Sequence, residues 1–460
     1  MNRIHISEHF NFKKIIRFTF APICMMIFMS IYSIVDGFFL SNFASKEAFT
    51  AVNLIFPVIM VIAALGFMFG TGGSAFIGTL LGKKEDEKAR RTFSMIIYSS
   101  LIIGVFFSIC FYFLIEPIVK AMASVNNETS IETIKHAITY GKIMIVGEIF
   151  YILQNAFQPF FSTAEKPGIG FIFTLAAGLT NILFDYIYIG VLNLGVVGAA
   201  IASIMGMVVA SVGPLIYFSL NKNNNIYLTK FKFCIKDLLT IIANGSSEFL
   251  SNISTSIVSI IFNIQLLKYL GEAGVSAYGI IMYVSFVFAA IFIGYSIGVS
   301  PIISYNYGAK NKKELSSLYK KSLIFMLVTG ASMVLLSETF SSPFSSLFAS
   351  GSLELEKLAT KAMRIYSVCY IFMGFSMFGS SSFTALNNGL ISAIISTSRT
   401  LIFQLISIFV LPLIFGVDGL WWSMVFAEFC VFVLTIIFWL SNKNKYGYFN
   451  FKELNVLSNK

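Results

Sequence analysis

Long apolar runs, separated by short polar breaks, constrain the fold of this chain more than any other feature of its sequence. A bilayer core of about 30 Å requires roughly 20 apolar helical residues. Twelve such runs occur, near residues 15–40, 50–80, 92–116, 137–162, 169–190, 195–220, 238–268, 275–305, 318–340, 360–385, 390–414 and 419–441. We therefore expect an all-α polytopic membrane protein with twelve transmembrane helices.

Composition agrees with a lipid environment, since 57% of the residues are hydrophobic and 12% are charged, against about 25% charged in soluble chains. Three His and five Cys offer little material for a metal or haem site or a disulfide framework, so no cofactor is expected.

The first apolar run continues through Asp36 without a cleavage pattern, so we expect it to remain as the first span rather than act as a signal peptide.

The basic residues are distributed unevenly between the two sides of the predicted bundle. The termini and the even-numbered connections hold 23 of the 32 Lys and Arg residues. Because basic loops resist translocation, this predicts that both termini are cytoplasmic, in an inner or plasma membrane. The net charge of +10 is then a topology signal that also attracts anionic lipid. A nucleic-acid partner is not expected.

An internal repeat indicates two halves. A shift of 226 residues aligns residues 46–88 with 272–314 without a gap and makes eleven of the 43 positions identical. Each half has an even number of helices, so we expect two six-helix lobes related by a pseudo-two-fold axis along the membrane normal. The predicted division is an N-lobe at 1–220, a cytoplasmic linker at 221–237, a C-lobe at 238–441 and a cytoplasmic tail at 442–460.

Two motifs resemble those of one transporter family. Residues 298–311 read Gly-Val-Ser-Pro-Ile-Ile-Ser-Tyr-Asn-Tyr-Gly-Ala-Lys-Asn, and residues 383–389 read Phe-Thr-Ala-Leu-Asn-Asn-Gly. The chain resembles the multidrug and toxic compound extrusion (MATE) transporters, and within them the bacterial DinF/MepA-type branch. The resemblance implies a V-shaped pair of lobes, alternating access, and export of lipophilic cations in exchange for protons or sodium. The bilayer and small lipophilic cationic substrates are the expected partners, and a monomer is expected.

Five carboxylates lie within apolar runs, where an ionisable side chain is costly enough to suggest function: Asp36, Glu148, Asp185, Glu248 and Glu428. Two desolvated carboxylates sharing a cavity raise each other's proton affinity, so Asp36 and Asp185 are candidate proton carriers. With Asn181, one turn before Asp185, they could instead form an oxygen cage for a small cation such as Na+. The alternative is that both Asp residues only hydrogen-bond neighbouring helices.

The resemblance adds roles for particular residues. It places ion coupling on an Asp of the first helix, an Asn-x-x-x-Asp of the fifth and a hydroxyl of the sixth, which here are Asp36, Asn181, Asp185 and Ser203. For the remaining carboxylates the alternatives stay open. Glu248 could reach the headgroups, Glu148 is expected near a helix end facing the outer vestibule, and Arg399 is a candidate partner for Glu428.

Substrate recognition is expected from aromatic, polar and thioether side chains in an apolar cavity, where cation-π and flexible contacts suit varied lipophilic cations. The candidates are Tyr32, Met29, Asn155, Met205, Met282 and Glu428. Proton or ion uptake at Asp36 and Asp185 is expected to release the drug. Pro22 is expected either to let the first helix bend or to mark its first turn.

Two other classes of function remain as alternatives. A lipid-linked precursor flippase is expected to need several cationic residues around a diphosphate, whereas the helix interiors offer mainly carboxylates and Arg399. An intramembrane enzyme is less favoured, because His5, His9 and His136 all fall outside the predicted helices and no catalytic cluster is evident. The sequence therefore predicts a transporter rather than an enzyme.

Overall fold

The computed structural model describes residues 4–125, 130–348 and 352–449, which are mainly helical. The helices are α1 (Phe12–Phe43), α2 (Lys46–Gly82), α3 (Asp86–Val125), α4 (Ile131–Thr163), α5 (Pro167–Asp185), α6 (Gly195–Leu220), α7 (Ile235–Gly308), α8 (Lys312–Phe348), α9 (Leu353–Ser367), α10 (Cys369–Ala385), α11 (Gly389–Thr397), α12 (Phe403–Phe415) and α13 (Val417–Tyr446). Two π-helical stretches, Tyr186–Val191 and Ser398–Ile402, follow α5 and join α11 to α12.

Within the described residues, twelve segments can cross a membrane, as the sequence predicts. Ten helical stretches of the described residues are long and apolar enough, and the pair α9–α10, bent by 47°, forms an eleventh span. The twelfth comes from α7, whose 74 residues are interrupted at Gly271, with φ 63° and ψ −157°. This non-helical residue divides α7 into arms at 235–270 and 272–308. The six spans of α1–α6 and the six of α7–α13 form the two lobes.

Short polar side chains begin several of these helices. Each accepts a backbone N–H from the first helical turn, which otherwise has no partner within the helix. The capping residues are Asn11, Ser45, Ser130, Ser352 and Asn388. Helix α1 begins at Phe12, so Pro22 lies well inside it. The interpretation of Pro22 as a first-turn residue is therefore wrong.

Four helix ends show the duplication in the backbone. Lys84, Glu165, Lys310 and Asn387 follow α2, α4, α7 and α10, and each has a left-handed φ between 55° and 63°. At each end the next N–H bonds to a carbonyl five residues earlier, at 2.8–2.9 Å, as in a Schellman motif. Non-glycine residues rarely adopt this conformation. Since 226 residues separate Lys84 from Lys310, the backbone repeats with the shift found in the sequence.

The four turns lie at one end of the bundle, together with the segment between the lobes. We call this end the basic face, and it consists of residues 83–85, 164–166, 221–234, 309–311 and 386–388. Near it, α2 and α7 approach closely. A Cβ added to Gly245 would collide with the carbonyl oxygen of Met68, and one added to Gly82 with that of Tyr305. Backbone contact of this kind requires glycine, as at helix crossings in membranes. The two lobes are thus packed tightly together near the basic face.

Polar contacts reinforce this packing. The hydroxyl of Thr79 donates to the carbonyl of Ser304 at 3.3 Å, and the Asn387 amide donates to the Thr79 hydroxyl at 2.7 Å. Thr79 therefore joins α2 of one lobe to two elements of the other.

The segment between the lobes, residues 221–234, lies along α3. Arg90 stacks over Tyr227 with 4.8 Å to the ring centroid, and Tyr98 stacks on Phe231 at 5.0 Å. Helix α7 begins at Ile235, slightly before the predicted residue 238. The predicted lobe and linker limits otherwise stay predictions, and residues 450–460 of the predicted tail lie outside the described ranges.

Candidate functional site

The Asp36 and Asp185 carboxyl groups face each other where α1 packs against α5. Asn181, one turn before Asp185, also interacts with Asp36. Asp185 and Asn181 are buried and Asp36 is half-buried. Oδ1 of Asp36 and both oxygens of Asp185 have no hydrogen-bond partner among the described residues. Ionised carboxylates only accept hydrogen bonds and repel each other, so a shared proton or a bound cation would stabilise the pair.

Small residues bring the helices of this site together. A Cβ added to Gly178 of α5 would contact the rings of Phe28 and Tyr32, and one added to Gly206 of α6 would come 3.1 Å from Asn181 Cβ. Directly after Asp185 the helix widens into the π-helical stretch Tyr186–Val191, a local irregularity that is frequent at functional sites. The close approach of α1 and α6 to α5 therefore places the carboxylates in the interior of the lobe.

A polar stripe runs along one face of α4. Its members are separated by three, four or eight residues, which keeps them on one side of the helix. They are Tyr140, Glu148, Tyr151, Asn155 and Gln158, of which Tyr151 is half-buried and the others are buried. We call this set the α4 stripe.

The α4 stripe contacts α1 and α6. Tyr140 interacts with Ser203 of α6 and lies near the Asp36–Asp185 pair. At the other end, the amide of Gln158 donates to the sulfur of Met29 at 3.0 Å. The stripe thus connects the carboxylate pair with the part of the lobe nearer the basic face.

The residues expected to bind substrate are divided between the lobes. Tyr32 lies on α1 one turn before Asp36 and, like Met29, adjoins the α4 stripe, to which Asn155 belongs. Met205 on α6 is 37% exposed. Met282 packs against the core around α7, in the other lobe. The structure therefore gathers Tyr32, Met29 and Asn155 into one site and leaves the role of the other Met residues a prediction.

The other lobe contains a buried ion pair. Arg399 Nε donates to Glu428 Oε1 at 2.8 Å, and the Glu428 side chain is 1% exposed. Arg399, in the π-helical stretch Ser398–Ile402, also attracts Glu248. The partner expected for Glu428 is confirmed. Because Glu248 lies well beyond the start of α7 at Ile235, its position beside Arg399 favours an interior role over contact with the headgroups.

The sequence of this chain matches one family model in both lobes. The MatE family model matches residues 22–187 and 249–410, one segment in each lobe and most of the chain. The chain belongs to the MatE family. Members of this family are transporters rather than enzymes, so this MatE chain is a multi-pass membrane transporter. The multidrug and toxic compound extrusion resemblance seen in the sequence is confirmed.

Relatives and solved structures agree with the MatE assignment. The chain is 27% identical over 443 residues to a multidrug export protein MepA of Staphylococcus haemolyticus, covering 95% of this chain and 96% of the relative. A structure of MATE in complex with MaL6 has a TM-score of 0.90 at 22% identity, covering 96% and 98%. A multidrug resistance MATE transporter in an outward-facing conformation has a TM-score of 0.89 at 23% identity, with the same coverages. These structures establish the twelve-helix, two-lobe MatE fold.

Some residues of the site in this MatE chain were missed from the sequence. Tyr140 and Gln158 were not proposed, although polar residues three, four or eight apart in the fourth apolar run were a signal for them. The expectation that Glu148 lies near a helix end is wrong, because α4 extends from Ile131 to Thr163 and buries Glu148 completely near its middle.

Proposed function

We propose that this chain is a secondary active multidrug exporter, which moves lipophilic organic cations out of the cell in exchange for protons by alternating access. The observation that carries the proposal is the Asp36–Asp185 pair, two facing carboxylates of which three oxygens have no hydrogen-bond partner among the described residues. The names of the MepA relatives support the multidrug substrate class. The basic turns support cytoplasmic termini in a cell membrane, and no assembly beyond a monomer is needed.

The chemistry follows from the charge of the pair. When both carboxylates are ionised, the pocket is negative and attracts a cationic drug beside Tyr32 and Met29. When one carboxyl takes up a proton, its O–H donates to the facing carboxylate and half of the charge is lost. Uptake of a second proton makes the pocket neutral. Each proton therefore weakens the hold on the drug, which leaves on the side from which the protons came.

The close packing of α2 against α7 near the basic face supports a state that is open at the opposite side. Export would then require the Gly245–Met68 and Gly82–Tyr305 contacts to separate, so that the proton leaves to the cytoplasm and a new drug enters. Arg399 is already paired with Glu428, so it does not present an uncompensated cation to a diphosphate. This contact favours a drug exporter over a lipid-linked precursor flippase.

The test is ethidium export from proteoliposomes under separately imposed proton and sodium gradients. We expect a proton gradient alone to drive export by the wild type, and Asp36→Asn to abolish it while the variant still inserts. Asp418→Asn, which alters an exposed Asp paired with Lys361, is the matched control and should export normally. Wild-type export by Asp36→Asn would refute the role of the pair. Export driven only by sodium would instead indicate a sodium site at Asp36, Asn181 and Asp185.

A further inference from the structure

Glu148 is a buried carboxylate that the proposed exchange at Asp36 and Asp185 does not use. Its side chain has no exposed surface, and neither oxygen has a hydrogen-bond partner among the described residues. An ionised carboxylate in such surroundings is strongly disfavoured unless it is paired. Glu148 therefore holds a proton in this conformation.

The titratable groups nearest Glu148 among the described residues are tyrosines, and the carboxylate pair lies beyond Tyr140. Tyr140 and Tyr151 lie on the same helix, and Tyr140 also interacts with Asp36 and Asp185. Tyr151 in turn lies close to Tyr32 of α1.

Two of the helices packed against α4 meet it near Glu148 through apolar or small residues. Ile204 of α6 lies against Gly147, and Ile149 and Ile152 meet α3 at Gly104. With no Lys or Arg acting on Glu148 among the described residues, the proton is the cation that best fits it. A drug cannot reach a side chain with no exposed surface.

The position of Glu148 on the α4 stripe gives this proton a route. Tyr140 lies at the end beside the carboxylate pair, and Asn155 and Gln158 lie toward the basic face. Both amide atoms of Asn155 and Oε1 of Gln158 are buried without a partner among the described residues. Buried polar groups are almost always completed by protein or by ordered water. The stripe is therefore a row of polar groups suited to water-assisted proton transfer.

We propose that Glu148 is a proton-carrying residue of the transport cycle, standing between the Asp36–Asp185 pair and the basic face. The inference rests on the proposed proton-coupled function and adds a second carrier to it. Proton relays through buried carboxylates are a common use of such residues in transporters.

The O–H bond of the Glu148 carboxyl breaks and its proton passes to a water beside Tyr151 and Asn155, which carries it as hydronium toward the basic face and the cytoplasm. A second water protonates the resulting carboxylate and recovers its proton from the Tyr140 hydroxyl, which in turn receives one proton from the Asp36–Asp185 pair. One proton has then moved from the pair toward the basic face, and Glu148 and Tyr140 are neutral again.

The test separates proton movement from drug movement. Proteoliposomes are assayed for ethidium export driven by a proton gradient, and for exchange of ethidium against ethidium at equal pH on both sides. We expect Glu148→Gln to lower proton-driven export by about tenfold or more, while ethidium exchange stays within about twofold of the wild type. Glu132→Gln, the same substitution at an exposed position in the first turn of α4, is the matched control and should change neither rate.

Three outcomes would overturn the inference. Proton-driven export by Glu148→Gln at the wild-type rate would exclude a carrier role, and equal loss of export and exchange would indicate a merely structural role. A wild type without proton-driven export would refute the proposed function and this inference together, and is thereby distinguished from failure of Glu148 alone. If Glu148→Gln does not fold, Glu148→Met fills the same buried position without the acid. It should slow export but not exchange, and normal export would again contradict the inference.

Discussion

His5 Nδ1 lies 2.8 Å from Glu165 Oε2, and the backbone N–H of Ile6 donates to Glu165 Oε1 at 2.9 Å. Glu165 follows α4 in the first lobe and is buried. The Glu165 carboxylate thus binds both the His5 ring and the Ile6 backbone, in the segment that precedes α1.

The same arrangement recurs four residues later, on the second lobe. His9 Nδ1 lies 2.6 Å from Glu314 Oε2, and the Phe10 N–H donates to Glu314 Oε1 at 2.9 Å. Glu314 is buried in the first turn of α8. The N-terminal segment, residues 4–11, therefore connects the two lobes at the basic face.

We expect Glu314→Ala to destabilise the folded protein. The substitution leaves the buried N–H of Phe10 without its acceptor, which costs about 1–3 kcal/mol. Thermal unfolding of the detergent-solubilised protein measures the effect. Glu87→Ala is the control, because Glu87 is 77% exposed and pairs only at the surface with Arg91. An unchanged melting temperature for Glu314→Ala would show that this end of the segment does not stabilise the fold.

The contact between Glu8 and Lys14 predicts a dependence on acidic pH. The hydrogen bond from Lys14 lowers the pKa of the Glu8 carboxyl, with a smaller effect from the backbone of His5. A carboxyl whose pKa is lower when folded contributes stability above its unfolded pKa of about 4.3, and this is lost as the pH falls through the folded pKa. We expect Glu8→Gln to melt below the wild type at neutral pH, by a small amount because the Glu8 side chain is 37% exposed, and the difference to shrink as the pH is lowered below about 4.3. A difference that grows toward acid would contradict this.

The Arg399–Glu428 pair should be strongly non-additive. Arg399→Leu leaves a buried carboxylate without its partner, which costs about 3–5 kcal/mol, whereas replacing both charges by apolar groups is often nearly neutral. We therefore expect Arg399→Leu to lower the melting temperature more than the double variant Arg399→Leu with Glu428→Leu. A double-mutant cycle of melting temperatures measures the coupling. Additive losses would show that the two side chains do not depend on each other.

Two glycines of α7 provide a matched test of the close packing between α2 and α7 near the basic face. A Cβ at Gly245 would collide with the Met68 carbonyl, whereas a Cβ at Gly279 has no atom within 4 Å. Overpacking costs about 1–3 kcal/mol, and alanine favours a helix interior over glycine by about 1 kcal/mol. We expect Gly245→Ala to lower the melting temperature and Gly279→Ala to preserve or raise it. Equal effects would mean that α2 and α7 do not pack closely in the membrane.

Much of the fold was predictable from local patterns, but less of the site was. The runs near 238–268 and 275–305 predicted two spans, and the structure joins them through a single break at Gly271. The spacing of Asn181 and Asp185 predicted one helical face. Glu148 was misplaced because the predicted helix near 137–162 began too late, and polar residues extend α4 back to Ile131. Sequence periodicity locates apolar segments well but not their polar ends.

The sequence by itself determined the number of spans, the duplication and the presence of carboxylates inside apolar helices, because these depend on lengths and spacings along one chain. The tertiary structure decided which groups meet. The contacts His5–Glu165 and His9–Glu314 join residues 160 and 305 positions apart. The facing of Asp36 and Asp185, and the isolation of Glu148, likewise depend on how α1, α4 and α5 approach one another. That approach is set by the packing of many side chains at once, which no local pattern encodes.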